Sequence, residues 1–287
     1  MEKAAATEEA AAQRAGSSGE PVEVTSLRGE SSDTFALPDG TLEAREYLRP
    51  VRARQGKGWK PVDTDLVKSA DGGVTPRVAT VDLEFSGGGD APLVRISKAG
   101  REMALSWPGK LPVPMLEGAT ATYADVLPDV DLRMGAQEDG FTQLLVVKSV
   151  KAAESPELSR LRLKLAADGV AVKETGEGGL QAVDKGANGA VFEAPKPMMW
   201  DSSTSSAALS AARSTQPKTS ASAKGAAPQS GEEPAAGESG KLAPVEVEVP
   251  AGGQEVVLTP DADVLKGKDT TYPVFIDPQW YSPRASA

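Results

Sequence analysis

The chain has 287 residues and a net charge of −10, from 41 acidic and 31 basic residues, and it contains neither cysteine nor histidine. The absence of both residue types excludes disulfide bonds, thiol nucleophiles, thiolate or imidazole zinc sites, and every catalytic triad with a histidine base. The acidic balance, without a long run of lysine and arginine, argues against nucleic acid as a partner.

The hydropathy of the chain indicates a protein that does not insert into a membrane. No apolar run reaches the roughly 18 residues that a membrane-spanning helix requires, and the amino terminus lacks the apolar segment of a signal peptide. Hydrophobic residues make up 39% of the sequence and the mean hydropathy is −0.30. This composition predicts that part of the chain lies outside any packed core.

The first 20 residues are rich in alanine and glutamate and end in a glycine–serine stretch. They predict a frayed helix and a flexible tail, residues 1–20, that packs against nothing. From Pro21, short segments of alternating apolar and polar residues predict β-strands joined by turns. Three prolines between Trp107 and Met115 predict an irregular crossing there instead of a strand. Turns are predicted at residues 37–40, 56–58, 99–100, 168–169, 176–179 and 186–189.

The most apolar segment spans residues 123–149. Valine and leucine alternate with polar residues up to Met134, a turn closes at Asp139-Gly140, and a second apolar run follows. This pattern predicts a β-hairpin at the centre of a sheet.

One short helix is predicted inside the β-rich domain, at residues 152–160. Ser155 is placed to act as its N-cap, and Pro156 then occupies the first helical position. Further strands are predicted from there to residue 200.

Residues 201–241 consist mainly of serine, alanine, glycine, proline and charged residues, which cannot bury enough surface to offset the cost of ordering. We predict a disordered insertion here. Strand patterns return at residues 242–281, before a tail at 282–287. These strands either complete the domain formed by residues 21–200 or form a second unit after a linker; the first is favoured because the segment is short for an independent core. The predicted fold is therefore mainly β, with antiparallel sandwich-like sheets, one short helix and the insertion.

Several acidic pairs are spaced two residues apart, which on a strand places both carboxylates on one face. Such pairs can act as general acid and base. A solvated strand face is the favoured interpretation because this spacing is common, and the serine-nucleophile motifs S-x-x-K and G-x-S-x-G are absent. The pairs are Asp63/Asp65, Asp129/Asp131, Glu246/Glu248 and Asp261/Asp263.

Four aspartates near the central hairpin, Asp125, Asp129, Asp131 and Asp139, are weak calcium candidates because calcium prefers oxygen ligands. Turn formation explains most of these positions. We therefore expect no bound metal and no cofactor.

Each of the four tryptophans ends a strand pattern. Exposed indole rings stack on sugars, whereas buried ones anchor a β-sheet core, and we favour the second role. The tryptophans are Trp59, Trp107, Trp200 and Trp280.

Several motifs occur together in one order: residues 58–66, 85–89, 123–149, 191–201 and 272–278. As a set they resemble the amino-terminal β-rich region that precedes LamG-like, DNRLRE-type or RHS/YD-repeat segments in secreted, wall-associated proteins of Gram-positive bacteria, especially actinomycetes. The resemblance covers about residues 21–284 outside the insertion.

The resemblance implies a non-enzymatic, extracellular or cell-wall-associated structural or adhesion module. Its implied partners are the domains that follow in longer relatives, with cell-wall or extracellular polysaccharide as a further candidate. The start without an export signal and the end at Ala287 lead us to expect a truncated product or a fragment. Two other functions stay open: a carbohydrate-binding module and a carboxylate-dependent glycoside hydrolase domain.

Overall fold

The structure is a computed structural model that describes residues 4–187, 189–203 and 241–283. Within these ranges the protein is mainly β, with antiparallel sheets and short helices, as the sequence predicts. The predicted disordered insertion and C-terminal tail fall mostly on residues 204–240 and 284–287, which lie outside the described residues. None of the helices in the described ranges has the length and apolar character to cross a bilayer.

A small four-stranded sheet lies at the amino-terminal end of the chain. Its strands, in spatial order, are β1 (Ala4–Ala5), β2 (Val22–Val24), β3 (Ser32–Ala36) and β4 (Leu42–Glu46). Strands β1 and β2 are parallel and the other pairs are antiparallel. A 3₁₀ turn (Thr25–Leu27) follows β2. The residues from Pro21 to Glu46, which the sequence pattern placed in the large β domain, thus belong to a separate small sheet.

Helix α1 (Glu8–Ser18) packs on this small sheet, so the prediction of an unpacked flexible tail is wrong. The hydroxyl of Thr7 accepts a hydrogen bond from the Ala10 amide and caps the helix. Ala11 and Ala15 are fully buried against the valines of β2. The sequence pattern did not reveal this apolar face, because the face consists of alanines and alanine carries little weight in a hydropathy pattern.

A two-stranded hairpin, β5 (Arg52–Gln55) and β6 (Gly58–Pro61), connects the small sheet to the rest of the protein. Its tip is at the predicted position, and Gly56 there has a φ of 58°. Together with α1 and β1–β4, this hairpin forms what we call the N-terminal unit, residues 4–61.

The remaining described residues form two large sheets. The eight-stranded sheet is antiparallel throughout and has the order β22-β23-β16-β11-β10-β9-β8-β7. Its strands are β7 (Asp63–Lys68), β8 (Val74–Val78), β9 (Asp82–Phe85), β10 (Val94–Lys98), β11 (Arg101–Ser106), β16 (Leu161–Asp168), β22 (Glu246–Glu248) and β23 (Glu255–Thr259).

The second large sheet has eleven strands and a branch. They are β12 (Met115–Glu117), β13 (Thr120–Leu127), β14 (Val130–Ala136), β15 (Gly140–Val147), β17 (Val170–Glu174), β18 (Leu180–Asp184), β19 (Ala190–Ala194), β20 (Met198–Trp200), β21 (Leu242–Pro244), β24 (Val274–Asp277) and β25 (Gln279–Tyr281). Strands β12 to β15 pair in sequence, and β15 then pairs with β24 along one half and β25 along the other. From β24 the sheet continues to β20 and β21, and from β25 to β19, β18 and β17.

The two large sheets pack face to face around one hydrophobic core, and we call this body the sandwich. The rings of Phe85 and Phe141, one from each sheet, meet edge to face at 6.3 Å between centroids. The buried hydroxyl of Tyr123 donates a hydrogen bond to the Ser86 carbonyl oxygen across the interface, at 2.6 Å. In each large sheet, a strand that precedes residues 204–240 pairs with a strand that follows them: β15 with β24, and β16 with β23. The strands before and after this segment therefore share one core.

The predicted central hairpin is formed by β14 and β15, and it lies in the middle of the second sheet. Gly140 pairs with Tyr281 of β25, so it is the first residue of β15 and not part of the predicted turn. A Cβ atom at Gly140 would lie 2.0 Å from the Trp280 carbonyl oxygen, so only glycine fits. A second hairpin was not predicted from the sequence. It consists of β13 and β14, and Pro128 and Asp129 form the turn between them.

The predicted helix at residues 152–160 is instead two single turns, α2 (Val150–Ala153) and α3 (Pro156–Ser159). Ser149 caps the first turn through its hydroxyl, which accepts a hydrogen bond from the Ala152 amide at 3.2 Å. Ser155 stands at the second N-cap but bonds Glu157 with its hydroxyl, so it does not cap the backbone. A further helix, α4 (Ala262–Lys266), was not predicted.

Candidate functional site

Both carboxylates of the pair at the start of β7, and Glu248 of the pair in β22, are bound to arginine side chains. Arg77 lies 3.5 Å from a carboxylate oxygen of Asp63 and 3.1 Å from one of Asp65. Glu248 pairs with Arg160 at 2.9 Å. These side chains are largely exposed, so each is a solvated ion pair of the kind that contributes little to stability. The interpretation as a solvated strand face is confirmed for both pairs.

The pair Asp261/Asp263 does not lie on a strand, so that prediction is wrong. Asp261 is the N-cap of α4, and its Oδ1 accepts hydrogen bonds from the Asp263 and Val264 amides, both at 2.9 Å. The first backbone amides of a helix have no partner within the helix, and an aspartate at the N-cap accepts hydrogen bonds from them. Two aspartates spaced two residues apart occur both on the face of a strand and at the N-terminus of a helix, so the spacing alone does not distinguish the two.

At the end of the hairpin, the ammonium group of Lys148 lies 2.8 Å from a carboxylate oxygen of Asp125 and 2.8 Å from one of Asp131. Asp125 has a φ of 51°, in a bulge of β13, and its amide donates to the Asp131 carboxylate. Burial alone would raise the pKa of Asp131, but the hydrogen bonds from Lys148 and the Asp125 amide outweigh it, so the pKa is lowered. The ammonium therefore takes the position that a cation would need.

The other two calcium candidates do not complete this cluster. Asp129 has a φ of 58° in its turn and accepts a hydrogen bond from the Ser149 hydroxyl at 2.9 Å. Asp139 lies at the opposite end of β14, where burial raises the pKa of its carboxyl. In the part of the chain that the structure describes, no group of three or more acidic side chains is arranged to hold a metal ion.

The tryptophans divide into core anchors and partly exposed rings. Trp107 and Trp280 are 5% and 4% exposed and belong to the sandwich core, which confirms the favoured interpretation for these two. Trp200 stacks on Phe275, with 5.6 Å between the ring centroids. Trp59, on β6, is partly exposed and borders open space.

Trp59 lines a cleft of about 380 Å³ between the hairpin β5–β6 and the small sheet, which we call the Trp59 cleft. Its volume falls in the range typical of small-molecule sites. Two aromatic side chains and three cationic ones share its wall, a combination that no sequence pattern had brought together. The lining residues are Arg28, Tyr47, Val51, Arg52, Trp59, Lys60 and Pro61.

The buried carboxylate of Asp33 contacts two of the side chains that line the cleft, Arg52 and Tyr47. This carboxylate, on β3, lies 2.7 Å from an Arg52 nitrogen and accepts a hydrogen bond from the Tyr47 hydroxyl at 2.8 Å. Burial alone would raise the pKa of Asp33, but the bonds from Arg52 and Tyr47 lower it below its ordinary value. The ionised carboxylate thus fixes a guanidinium and a phenol at the cleft wall.

Arg28 is fixed in a similar way. Its guanidinium makes two parallel hydrogen bonds to the Glu23 carboxylate, each 2.7 Å long, which raise the pKa of Arg28. Arg52 also donates from one nitrogen to the carbonyl oxygens of Gly29 and Ser32, at 2.9 and 3.1 Å. A guanidinium carries five N–H donors on three nitrogens, so each of the two arginines has further donors on its other nitrogens. The guanidinium of Arg54 lies over the Trp59 ring, 4.5 Å from its centroid. Fixed donors beside aromatic rings suit a ligand that has rings and oxygen atoms.

A separate, much smaller cavity of about 20 Å³ lies between the large sheets. Its walls are apolar apart from Gln143, whose side chain is 1% exposed and whose Nε2 has no hydrogen-bond partner among the described residues. This volume suffices for one water molecule and no larger ligand.

In comparisons with protein-family models, curated proteins and solved structures, the chain has no match.

Proposed function

We propose that this chain is a non-enzymatic β-sandwich module of a larger secreted or wall-associated bacterial protein, and that it serves adhesion by binding carbohydrate at the Trp59 cleft. The cleft carries the proposal, because it joins the Trp59 and Tyr47 rings to guanidinium donors held by Asp33 and Glu23. Sugar rings present apolar faces to aromatic side chains and hydroxyl groups to such donors.

A scaffold role for the sandwich is supported by its shared core. Strands β24 and β25, from the carboxyl-terminal end of the described chain, pair with β15 beside the central hairpin. Large apolar side chains from both sheets fill the space between them, which favours a rigid body to which the N-terminal unit and its cleft are joined.

The state of the acidic side chains favours binding over hydrolysis. A glycosidase needs one carboxyl with a raised pKa as acid and a second as base or nucleophile, both open to the substrate. Asp125 and Asp131 share an ammonium instead, and the pKa of Asp131 is lowered. No observation on the cleft side favours a hydrolase, since the carboxylates there are engaged by Arg28 and Arg52.

The proposal is tested by titrating the purified protein with soluble wall and extracellular polysaccharides while the tryptophan fluorescence and the heat of binding are recorded. We expect saturable binding that Trp59→Ala weakens at least about fivefold, since stacking on one aromatic ring contributes on the order of 1 to 3 kcal/mol. Trp59→Phe keeps a ring and should retain most of the affinity.

The matched control is Trp200→Phe, which changes a partly exposed indole outside the cleft and should leave binding unchanged. Failure of every polysaccharide to bind would refute the adhesion role. Release of sugars that is lost on changing one carboxylate, such as Asp131→Asn, would show a hydrolase instead.

A further inference from the structure

The hairpin beside the Trp59 cleft is strongly basic in an otherwise acidic protein. From Tyr47 to Val62 the chain contains no acidic residue, while its net charge is −10 overall. The basic residues of this segment are Arg49, Arg52, Arg54, Lys57 and Lys60. The hairpin forms its own two-stranded sheet, so these charges project from a separate element at the cleft edge.

Two of the five charges are neutralised within the protein and three are left for a ligand. Arg52 is paired with Asp33 at 2.7 Å, and Arg49 with Glu138 at 3.0 Å. Arg54, Lys57 and Lys60 are exposed, and none of them is within ion-pair distance of an acidic group in the described ranges.

The strand register sets one of these charges, that of Arg54, beside the aromatic ring. Arg54 is directly opposite Trp59 in the antiparallel pair, and such partners project from the same face of a hairpin. The Arg54 guanidinium accordingly lies on the Trp59 ring. Lys57 is at the hairpin tip next to Gly56, and Lys60 is one of the residues that line the cleft. A ligand that reaches Trp59 therefore meets unneutralised positive charge.

We propose that the Trp59 cleft and its hairpin select acidic glycans, sugar polymers that carry carboxylate, sulfate or phosphate groups, over neutral ones. The selection rests on the function proposed above, carbohydrate binding at this cleft, and adds the chemical class of the ligand. Stacking on Trp59 acts on acidic and neutral sugars alike, whereas Arg54, Lys57 and Lys60 attract only the acidic ones.

An acidic glycan fits this surface better than a nucleic acid does. A cleft of about 380 Å³ holds a short oligosaccharide segment. A nucleic acid, with one negative charge per roughly 1.7 Å of duplex, would extend beyond the hairpin and face the acidic remainder of the chain.

The test compares acidic sugars with their neutral counterparts: oligogalacturonate with its methyl ester, and keratan sulfate oligosaccharides with their desulfated forms. Each is titrated by calorimetry into the full chain at low and high salt. We expect the acidic form to bind about 3- to 30-fold more tightly at low salt, because each exposed ion pair contributes a small but additive share. The preference should shrink as salt screens the exposed charges.

The variant Lys57→Glu reverses a charge at the hairpin tip, outside the residues that line the cleft, and should reduce the preference at least about threefold while its affinity for the neutral forms stays within about twofold. The control is Lys173→Glu, which makes the same change at an exposed position on the sandwich and should keep the preference. Trp59→Ala should weaken the binding of both forms, which separates ring stacking from charge.

Equal affinity of the wild type for acidic and neutral forms, with both lost in Trp59→Ala, would overturn the charge selection and leave the carbohydrate function standing. Absence of binding to all four sugars would overturn both. Tighter binding of single-stranded DNA than of any acidic sugar, or an equal loss in the control variant, would also overturn the proposal.

Discussion

The sandwich and the N-terminal unit are held together by different kinds of interaction. The core of the sandwich is built from leucine, valine, isoleucine, methionine and aromatic side chains from both sheets. The core of the small sheet contains only alanine and valine, such as Ala11, Ala15 and Val22. Because burial stabilises in proportion to apolar area, the small sheet gains far less from its core.

The N-terminal unit compensates with buried and half-buried polar contacts. Asp33 binds Arg52 and Tyr47, and Glu23 binds Arg28. These same contacts position the wall of the Trp59 cleft. The stability of the whole protein and its binding cleft thus depend on separate parts of the molecule, so a change in one part should leave the other largely intact.

The largest effect is expected from Phe141→Ala. Phe141 is 1% exposed and meets Phe85 across the two sheets. Its truncation should lower the free energy of unfolding by about 3 to 5 kcal/mol, since a cavity remains where the ring was. Urea unfolding followed by the fluorescence of the buried tryptophans measures this. Phe141→Leu is the control and should cost less. A loss below about 1 kcal/mol for Phe141→Ala would contradict the shared core.

Ala15→Asp should break the N-terminal unit alone. Ala15 is fully buried on α1, and an unpaired carboxylate there costs several kcal/mol. We expect the amides of α1 and β2 to lose protection from hydrogen exchange, while those of β15 keep theirs. The control is Gln13→Asp, an exposed position on the same helix that should have little effect.

Equal loss of protection in β15 would show that the two parts fold as one unit. Retention of protection in α1 would show that the helix is not packed by its alanine face.

The strands of the sandwich could be predicted because alternation and turn residues are local signals. The turn at Ala99-Gly100 is an example, since both residues have positive φ, 50° and 75°, as a two-residue hairpin loop requires. Pairing between strands that are distant in sequence, such as β11 with β16, depends on tertiary packing and has no local signal. The same holds for the parallel pair β1–β2.

The candidate site was harder to predict than the fold. Trp59 is one of four tryptophans for which the sequence leaves two roles open, sugar stacking and core anchoring, and no sequence pattern singles out its neighbours Tyr47 and Arg52. Asp33 joins them from β3, and a sequence pattern does not show which carboxylate will lie beneath which guanidinium. The four aspartates of the hairpin gave a visible acidic pattern, but its meaning depended on Lys148.

A smaller effect, of opposite sign to the first two, is expected inside the sandwich from Gln143→Met. The Gln143 side chain is 1% exposed and its Nε2 has no partner among the described residues. A buried donor without a partner costs about 1 to 3 kcal/mol, so the apolar replacement of similar size should raise the free energy of unfolding by about 1 to 2 kcal/mol. Denaturant unfolding measures the change.

The control for this variant is Gln181→Met. The Gln181 amide donates to Glu193 at 3.0 Å, so its replacement should not stabilise the protein. If Gln143→Met destabilises instead, the amide is satisfied in solution by a water molecule in the small cavity, and the apolar interpretation of this site is wrong.

The smallest effect is a difference in pH dependence between the two regions. The pKa of Asp33 in the N-terminal unit is lowered, whereas burial raises the pKa of Asp139 in the sandwich, in both cases relative to the ordinary value of 3.8. Asp33 therefore stabilises the N-terminal unit above pH 3.8, and this contribution is lost as the pH falls through its lower folded-state pKa. Asp139 acts oppositely: as the pH falls from neutral towards 3.8, the folded state takes up a proton first and the sandwich gains stability.

Hydrogen exchange of α1 and of β15 between neutral pH and pH 3 separates the two contributions. In Asp33→Asn the acid-induced loss in α1 should shrink, because the titrating group is gone, although the unit starts from a lower stability without the ionised partner of Arg52. In Asp139→Asn the gain in β15 on mild acidification should disappear. Identical pH profiles for α1 and β15 in the wild type would mean that one electrostatic balance governs the whole chain, and the N-terminal unit would then have no separate polar basis for its stability.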